Sequence, residues 1–331
     1  MIQSAVIGVG GIGKEHLSYM KGSGQMQVRA ICDANEQWRT WARQEYPEAA
    51  FYTDAQAMFA KEKLDLVTLA CPHNLHAPLA IAALKAGVNV ITEKPMATTY
   101  AEARAMIAAS QAAGKFLTVY HNRRLDPWFL AAMDVMRAGW LGDLYELNTG
   151  IIYGGRWESW RGFKKSNGGI LFDWGAHQVD WMLHLAGSEV KAVSGFFRRG
   201  PRTEPERNED FGTLRIYFAS GAIANVTNTG LDCVQPLRYR ITGANGTLVD
   251  EWQFDDKGKL KVHLRLPAGG KGTLEVDYHK AQKQAYYDNI AAHLREGKPL
   301  LVSAESAAQV INVLCAAHRS HDQGGVPVPL E

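Results

Sequence analysis

Short uninterrupted apolar runs alternate with helically spaced stretches through the first third of the chain. Ala5-Val6-Ile7 reads as a buried strand, and Lys14 to Met20 then repeats at helical spacing. The same rhythm predicts strands at Gln27–Cys32, Phe51–Tyr52, Leu64–Ala70, Val88–Thr92 and Phe116–Tyr120. Helices fall between them at Glu36–Glu45, Asp54–Lys61, Leu75–Ala86 and Tyr100–Ala113, with Gly87 and Gly114 as stop signals. Such alternation predicts a parallel sheet covered on both faces, the doubly wound α/β (Rossmann) arrangement. Ligands of these sheets bind beyond the carboxyl ends of the strands. That rule singles out Gly8, Asp33, Cys71-Pro72-His73, Glu93-Lys94 and His121-Asn122.

From about His121 the pattern changes. Asp126-Pro127 opens a helix, Asp143 to Tyr153 reads as a strand, and Gly169 to Ala186 as a long helix. Strand-like runs follow at Val190–Arg198, Phe211–Phe218, Ala222–Leu231, Leu237–Thr242, Thr247–Trp252 and Leu260–Leu266. Ser220-Gly221 and Asn245-Gly246 mark turns between them. Helices at Gln282–Arg295 and Ala304–His321 close the chain. The expectation is a dinucleotide-type α/β domain over residues 1–121 and an α+β domain over 122–331, the second built on a large, mostly antiparallel sheet.

Composition narrows the class. A chain of 331 residues with 46% hydrophobic and 21% charged residues is ordinary globular material, long enough for two domains. A net charge of +2 gives no reason to expect nucleic acid. Cys32, Cys71, Cys233 and Cys315 are far apart, which argues against both a disulfide framework and a cysteine metal site. The chain passes directly into a strand, so no cleavable leader is expected. It has no apolar run of the roughly 18 residues a membrane span needs. A cytoplasmic protein with no membrane partner is the expectation.

Candidate chemistry begins at Gly8-Val9-Gly10-Gly11-Ile12-Gly13, a G-x-G-x-x-G turn between the first strand and the first helix. Gly8 permits the tight turn, Gly10 lets backbone approach a diphosphate, and Gly13 lets helix and strand pack closely. The free N–H groups of the helix start, including those near Gly11 and Ile12, suit an anion. Asp33 ends the second strand, where a carboxylate accepts from ribose hydroxyls and repels a 2′-phosphate. NAD is therefore favoured; Arg39 on the next helix leaves NADP open. Asp33 is also placed to cap the helix beginning near Asn35. Cys71-x-His73-x-x-His76 has the superficial look of a metal cluster. The preferred reading is that Cys71, Pro72 and His73 line the cofactor cleft, with His76 beginning the helix beside it, and no metal is expected.

Lys94, in Thr92-Glu93-Lys94-Pro95, lies at a strand's carboxyl end, and Pro95 restricts it to extended conformations. Its ammonium is placed to hold the charge that develops on a substrate oxygen. A second partner is expected from the other domain. Asp173, His177, Asp180 and His184 recur at i, i+4, i+7 and i+11 on one helix face. Acid–base catalysis by His177 oriented by Asp173, a hydrogen-bonded structural stripe, and a metal-binding face are all compatible with that spacing. Between Gly150 and Lys165, Tyr153, Arg156, Trp157, Trp160 and Arg161 offer flat apolar faces and cationic donors. These suit either the C–H side of a sugar ring or a packed domain junction.

Taken together, Gly8-x-Gly10-x-x-Gly13, Asp33, Glu93-Lys94-Pro95, Arg123-Arg124-x-Asp126-Pro127 and Gly168-Gly169-x-x-x-Asp173-x-x-x-His177-x-x-Asp180 resemble the glucose–fructose oxidoreductase/inositol dehydrogenase (Gfo/Idh/MocA) family over essentially the whole chain. The resemblance implies an NAD(P)-dependent oxidoreductase acting on a sugar, a cyclic polyol or a sugar derivative. It further implies Lys94, Asp173 and His177 as the catalytic trio, with Glu93 and Asn122 near the nicotinamide ribose and Arg123 at the substrate. A cis Lys94-Pro95 bond and a homodimer or homotetramer assembled through the open sheet also follow from it. Two other readings remain at this stage: glycoside cleavage by transient oxidation, elimination and reduction with no net redox change, and a non-catalytic nucleotide or sugar sensor.

Overall fold

The computed structural model describes residues 1–153, 158–200, 203–252 and 257–331. They form two compact units: Met1–His121 with Lys283–Gln309, and Asn122–Gln282 with Val310–Glu331.

The first unit is the α/β domain that the alternation predicts. Its strands are β1 (Ile2–Ile7), β2 (Met26–Cys32), β3 (Ala50–Tyr52), β4 (Leu66–Leu69), β5 (Asn89–Thr92) and β6 (Leu117–Val119). They pair in parallel in the order β3-β2-β1-β4-β5-β6, so the order reverses between β1 and β4. Val67, Leu69, Val90 and Ile91 are wholly buried, as a sheet covered on both faces requires. The helices are α1 (Gly11–Gly22), α2 (Glu36–Glu45), α3 (Ala55–Lys61), α4 (His76–Lys85) and α5 (Tyr100–Ala113). Asn35 and Asp54 cap α2 and α3, Thr99 and Glu102 form a capping box on α5, and Gly114 ends α5 in the left-handed region.

Two glycines of the turn are required by space. A Cβ on Gly8, whose φ is 89°, would stand 2.4 Å from the Ala70 carbonyl oxygen. A Cβ on Gly13 would stand 2.0 Å from the Gly8 carbonyl oxygen. Since backbone cannot yield there, Gly13→Ala is expected to cost about 3 kcal/mol, at the upper end of ordinary single substitutions. Chemical denaturation checks the stability, and a fluorescence titration should show dinucleotide affinity falling with it.

The second unit carries α6 (Pro127–Arg137), β7 (Leu144–Ile152), the short α7 (Lys164–Asn167), α8 (Ile170–Ala186), β8 (Val190–Arg198), β9 (Phe211–Phe218), β10 (Ile223–Thr229), β11 (Tyr239–Gly243), β12 (Gly246–Asp250), β13 (Lys259–Arg265) and β14 (Lys271–Asp277). Its sheet runs β14-β13-β12-β11-β7-β10-β9-β8, antiparallel except where β7 meets β10. The strand β14 is absent from the sequence expectation. It lies at the sheet edge with most of its residues exposed, so no buried face marks it in the pattern. Two helices follow: α9 (Ala285–Glu296) lies in the first unit, and α10 (Ala304–Asp322) begins there and ends in the second. Among the described residues no helix is long and apolar enough to cross a membrane.

The long helix α8 departs from a simple amphipathic pattern, because thirteen of its 17 residues are buried. Asp173, His177 and Asp180 of its stripe are therefore surrounded by protein and need polar partners, whereas His184 is half-buried.

Candidate active site

In the first unit the carboxyl ends of the strands present the residues the sequence singled out. Asp33 accepts from the Val9 N–H (2.8 Å) through one oxygen and from the Asn35 N–H (2.8 Å) through the other. It thus ties the glycine turn to the start of α2 while remaining half-buried rather than enclosed. Beyond the adjoining residues and the helix's own backbone, no atom of the described residues lies within 4 Å of where a Cβ would project from Gly10 or Gly11. A tight turn with open space above it and a helix N-terminus behind it is a cradle that a diphosphate fits. Arg39 is drawn away from that cradle: it is buried and bonds the Asp33 carbonyl and the Glu36 carboxylate.

The segment after β5 is held with unusual completeness. Glu93 is buried; its Oε1 faces His16 Nε2 (3.0 Å) and its Oε2 accepts the Lys94 N–H (3.0 Å). Burial alone would raise its carboxyl, but His16 and Lys94 hold it below the ordinary range. The Lys94-Pro95 bond is cis. On the other side of this turn, His76 Nδ1 lies 2.8 Å from the Pro95 carbonyl and its Nε2 lies 3.0 Å from the Cys71 carbonyl. His76 thus bridges two turns at the carboxyl ends of β4 and β5. His73 is buried beside it, with ring centroids 5.6 Å apart. Burial raises the Cys71 thiol to about 12, which removes it as a nucleophile at neutral pH.

Burial also lowers His76 below its ordinary 6.5, against the two carbonyls, which favour its charged form. With the folded-state value depressed, the unfolded chain binds the extra proton. The stabilisation is therefore present above 6.5 and lost as pH falls through the folded value. Glu93, also lowered, acts with the same sign below 4.5. The denaturation midpoint should drop as pH falls below 6.5, and His76→Gln should lessen that drop, to which the buried His318, lowered to about 4, contributes with the same sign. A pH series of denaturation curves measures both.

In the second unit α8 places Asp173 and His177 one turn apart, 5% and 4% exposed. Tyr153, just after β7, donates its hydroxyl to Asp173 Oδ2 (2.5 Å), and Arg161 Nε lies 3.3 Å from the same oxygen. Burial and Asp173 push the Tyr153 hydroxyl far up, so it stays a donor. Trp174 contacts both partners edge-on, at 6.0 Å from the Tyr153 ring and 5.7 Å from the His177 ring. Arg123 lies 4.4 Å over the Trp174 ring while its Nη1 bonds Asp126 (2.9 Å). His177 stacks on Trp181 at 6.3 Å. Trp160 carries the Arg161 guanidinium on its face at 4.3 Å. Asn122 begins the turn that presents Arg123. Arg156 and Trp157 lie outside the described residues.

The four-residue stripe resolves into two halves. Asp180 receives both Nε (2.9 Å) and Nη2 (2.6 Å) of Arg124, a two-point ion pair, and its backbone carbonyl faces His184 Nδ1 (2.8 Å). That half is structural, whereas Asp173 and His177 face tyrosine, tryptophan and arginine. Among the described residues no group of three or more His, Cys, Asp or Glu is arranged to hold a metal ion.

Three neighbours of these residues carried little sequence signal of their own. Trp174 reads in sequence as apolar filler of α8. Trp252, 5.6 Å from Trp174, is fixed by its N–H to the Gly150 carbonyl (2.7 Å) and by the buried Arg238 at 5.0 Å. His16 stands on the buried face of α1 between Gly13 and Leu17, and a histidine on such a face was the available hint.

A six-stranded parallel sheet of Rossmann order with an open glycine cradle at the end of β1 and a carboxylate at the end of β2 is the arrangement of a dinucleotide-binding domain. Residues 2–121 match the oxidoreductase family with an NAD-binding Rossmann fold, and residues 129–249 match the GFO/IDH/MocA C-terminal domain. The chain belongs to this family, as its motifs implied. It is 28% identical to scyllo-inositol 2-dehydrogenase (NADP(+)) of Bacillus subtilis, over 84% of this chain and 82% of that protein. It is 24% identical to myo-inositol 2-dehydrogenase of Thermotoga maritima over 96% of each. The WlbA dehydrogenase of Bordetella pertussis, solved with NADH and UDP-GlcNAcA, shares the fold at a TM-score of 0.83 and 24% identity, over 100% of this chain and 99% of that one.

Proposed function

We propose that the protein moves a hydride between a nicotinamide dinucleotide and a carbinol carbon of a sugar, cyclic polyol or sugar derivative. The observation that carries this reading is the Asp173–His177 arrangement, a buried carboxylate and a buried imidazole one helical turn apart, with the Trp174 ring edge-on to His177. With its diphosphate held at the glycine turn, a bound dinucleotide would supply or accept the hydride through its nicotinamide. The chain's own residues do the rest. His177 takes the hydroxyl proton during oxidation and returns it during reduction. Lys94 stabilises the negative charge that grows on the oxygen. Asp173, fixed by Tyr153 and Arg161, orients a substrate hydroxyl and the imidazole. Trp174 and Trp160 give flat surfaces for the C–H face of a ring.

Asp33 supports NAD over NADP, because its carboxylate stands where a 2′-phosphate would be repelled and Arg39 is engaged elsewhere. A panel of inositols, aldoses, glycosides and sugar acids, scored by nicotinamide absorbance with NAD and NADP separately, tests the assignment. Turnover with at least one polyol or sugar, faster with NAD, is the expected result. Cleavage of a glycoside without any net absorbance change would instead establish the oxidation–elimination–reduction route.

A further inference from the structure

The glycine turn and the Lys94 turn are joined inside the first unit by a line of buried polar groups that the reaction above does not employ. His16 lies on α1 close behind the glycines and is wholly buried. Its Nε2 faces Glu93 Oε1 at 3.0 Å, and its Nδ1 faces the Tyr287 hydroxyl on α9 at 2.7 Å. Tyr287 Oη is in turn 3.3 Å from Thr68 Oγ1 on β4. The Tyr120 ring packs on the imidazole with centroids 4.4 Å apart. At the far end, Glu93 Oε2 receives the backbone N–H of Lys94.

Donors and acceptors can be matched along this whole line. An ionised carboxylate only accepts, so Nε2 carries the hydrogen toward Glu93. Nδ1 can then accept from the Tyr287 hydroxyl, whose oxygen can accept from Thr68. A buried network in which every member is satisfied fixes positions closely, whereas one missing member leaves a costly orphan. An apolar side chain would fill the same volume, and a buried polar pair is weak support for stability. What the line does secure is a position: it ends on the backbone N–H of the residue whose side chain must meet the substrate oxygen.

We propose that His16 is a positioning residue, which through Glu93 fixes the backbone from which Lys94 projects and ties it to the helix behind the glycine turn. The proposal rests on the reading of Lys94 as the group that holds the substrate oxygen. The test uses the full chain with His16→Gln, His16→Leu and Tyr287→Phe. Glutamine keeps an N–H toward Glu93 and an oxygen toward Tyr287; leucine keeps only volume. The first readout needs no substrate: the acylation rate of Lys94 by an amine-reactive ester, followed by peptide mass spectrometry against exposed Lys85 on α4. The second is steady-state kinetics. His16→Leu should change relative Lys94 reactivity by about three-fold or more and lower kcat by about 10–100-fold, with the dinucleotide KM nearly unchanged. His16→Gln should stay close to wild type in both. Wild-type Lys94 reactivity in His16→Leu, or a glutamine variant as impaired as the leucine one, overturns the proposal. Should the leucine variant fail to fold, Tyr287→Phe decides, since altered Lys94 reactivity supports the proposal and unaltered reactivity overturns it. A wild-type protein that turns over no sugar removes the proposed reaction, yet the acylation experiment still reports on the position of Lys94.

Discussion

Lys94→Ala is expected to lower kcat/KM by about 10²–10³-fold, the loss that follows removal of one group stabilising charge in the transition state. The lysine leaves the carboxyl end of β5, where ligands of such sheets bind, and its backbone is pinned by Glu93 before it and by the His76–Pro95 contact after it. The effect should fall on kcat, because the charge on oxygen exists only as hydride departs. Dinucleotide affinity should change little, since the glycine turn and Asp33 remain. Parallel fluorescence titration and initial-rate kinetics separate the two. A sensor that merely holds nucleotide would show intact affinity and intact function in this variant, so retained turnover would sink the enzymatic role given to Lys94.

His177→Asn should cost about 10²–10⁴-fold in kcat, the usual contribution of a positioned general acid–base. Asparagine preserves polarity and roughly preserves volume on α8, so packing against Trp174 and Trp181 changes little. The more discriminating consequence is in the pH dependence of kcat/KM. Oxidation needs the neutral imidazole, so the wild-type rate should rise with pH through the titration of His177, and that limb should vanish in the variant. An unchanged pH profile would reassign the proton transfer. The double variant Lys94→Ala/His177→Asn provides a further check. Groups acting on one transition state are strongly non-additive, so its loss should be far smaller than the product of the single losses.

The candidate residues of the two units differed in how much of them the sequence disclosed. The glycine turn, Asp33 and Lys94 are legible because each occupies a fixed place in a repeating strand–helix unit, and position in that unit defines chemistry. The α8 stripe was legible only as a spacing. Periodicity puts Asp173, His177, Asp180 and His184 on one face but says nothing about which of them is matched from elsewhere. Arg124, 56 residues from Asp180, makes that decision by a two-point ion pair. The edge strand β14 escaped because a strand without a buried side leaves no alternation to read.

By itself the sequence determined the order of elements, the parallel first sheet, the glycine cradle and the place of Lys94 at the end of β5. These depend on backbone conformation and on apolar periods of two and 3.6 residues, which are local properties. Only the tertiary structure decided that Asp180 is structural, that Trp252 and Arg238 back the tryptophan beside His177, and that His16 meets both Glu93 and a tyrosine 271 residues away. Each of those is a pairing of buried polar or aromatic groups distant in the chain. Their energies arise only when folding removes water from both partners at once, and no local pattern records which partner will arrive.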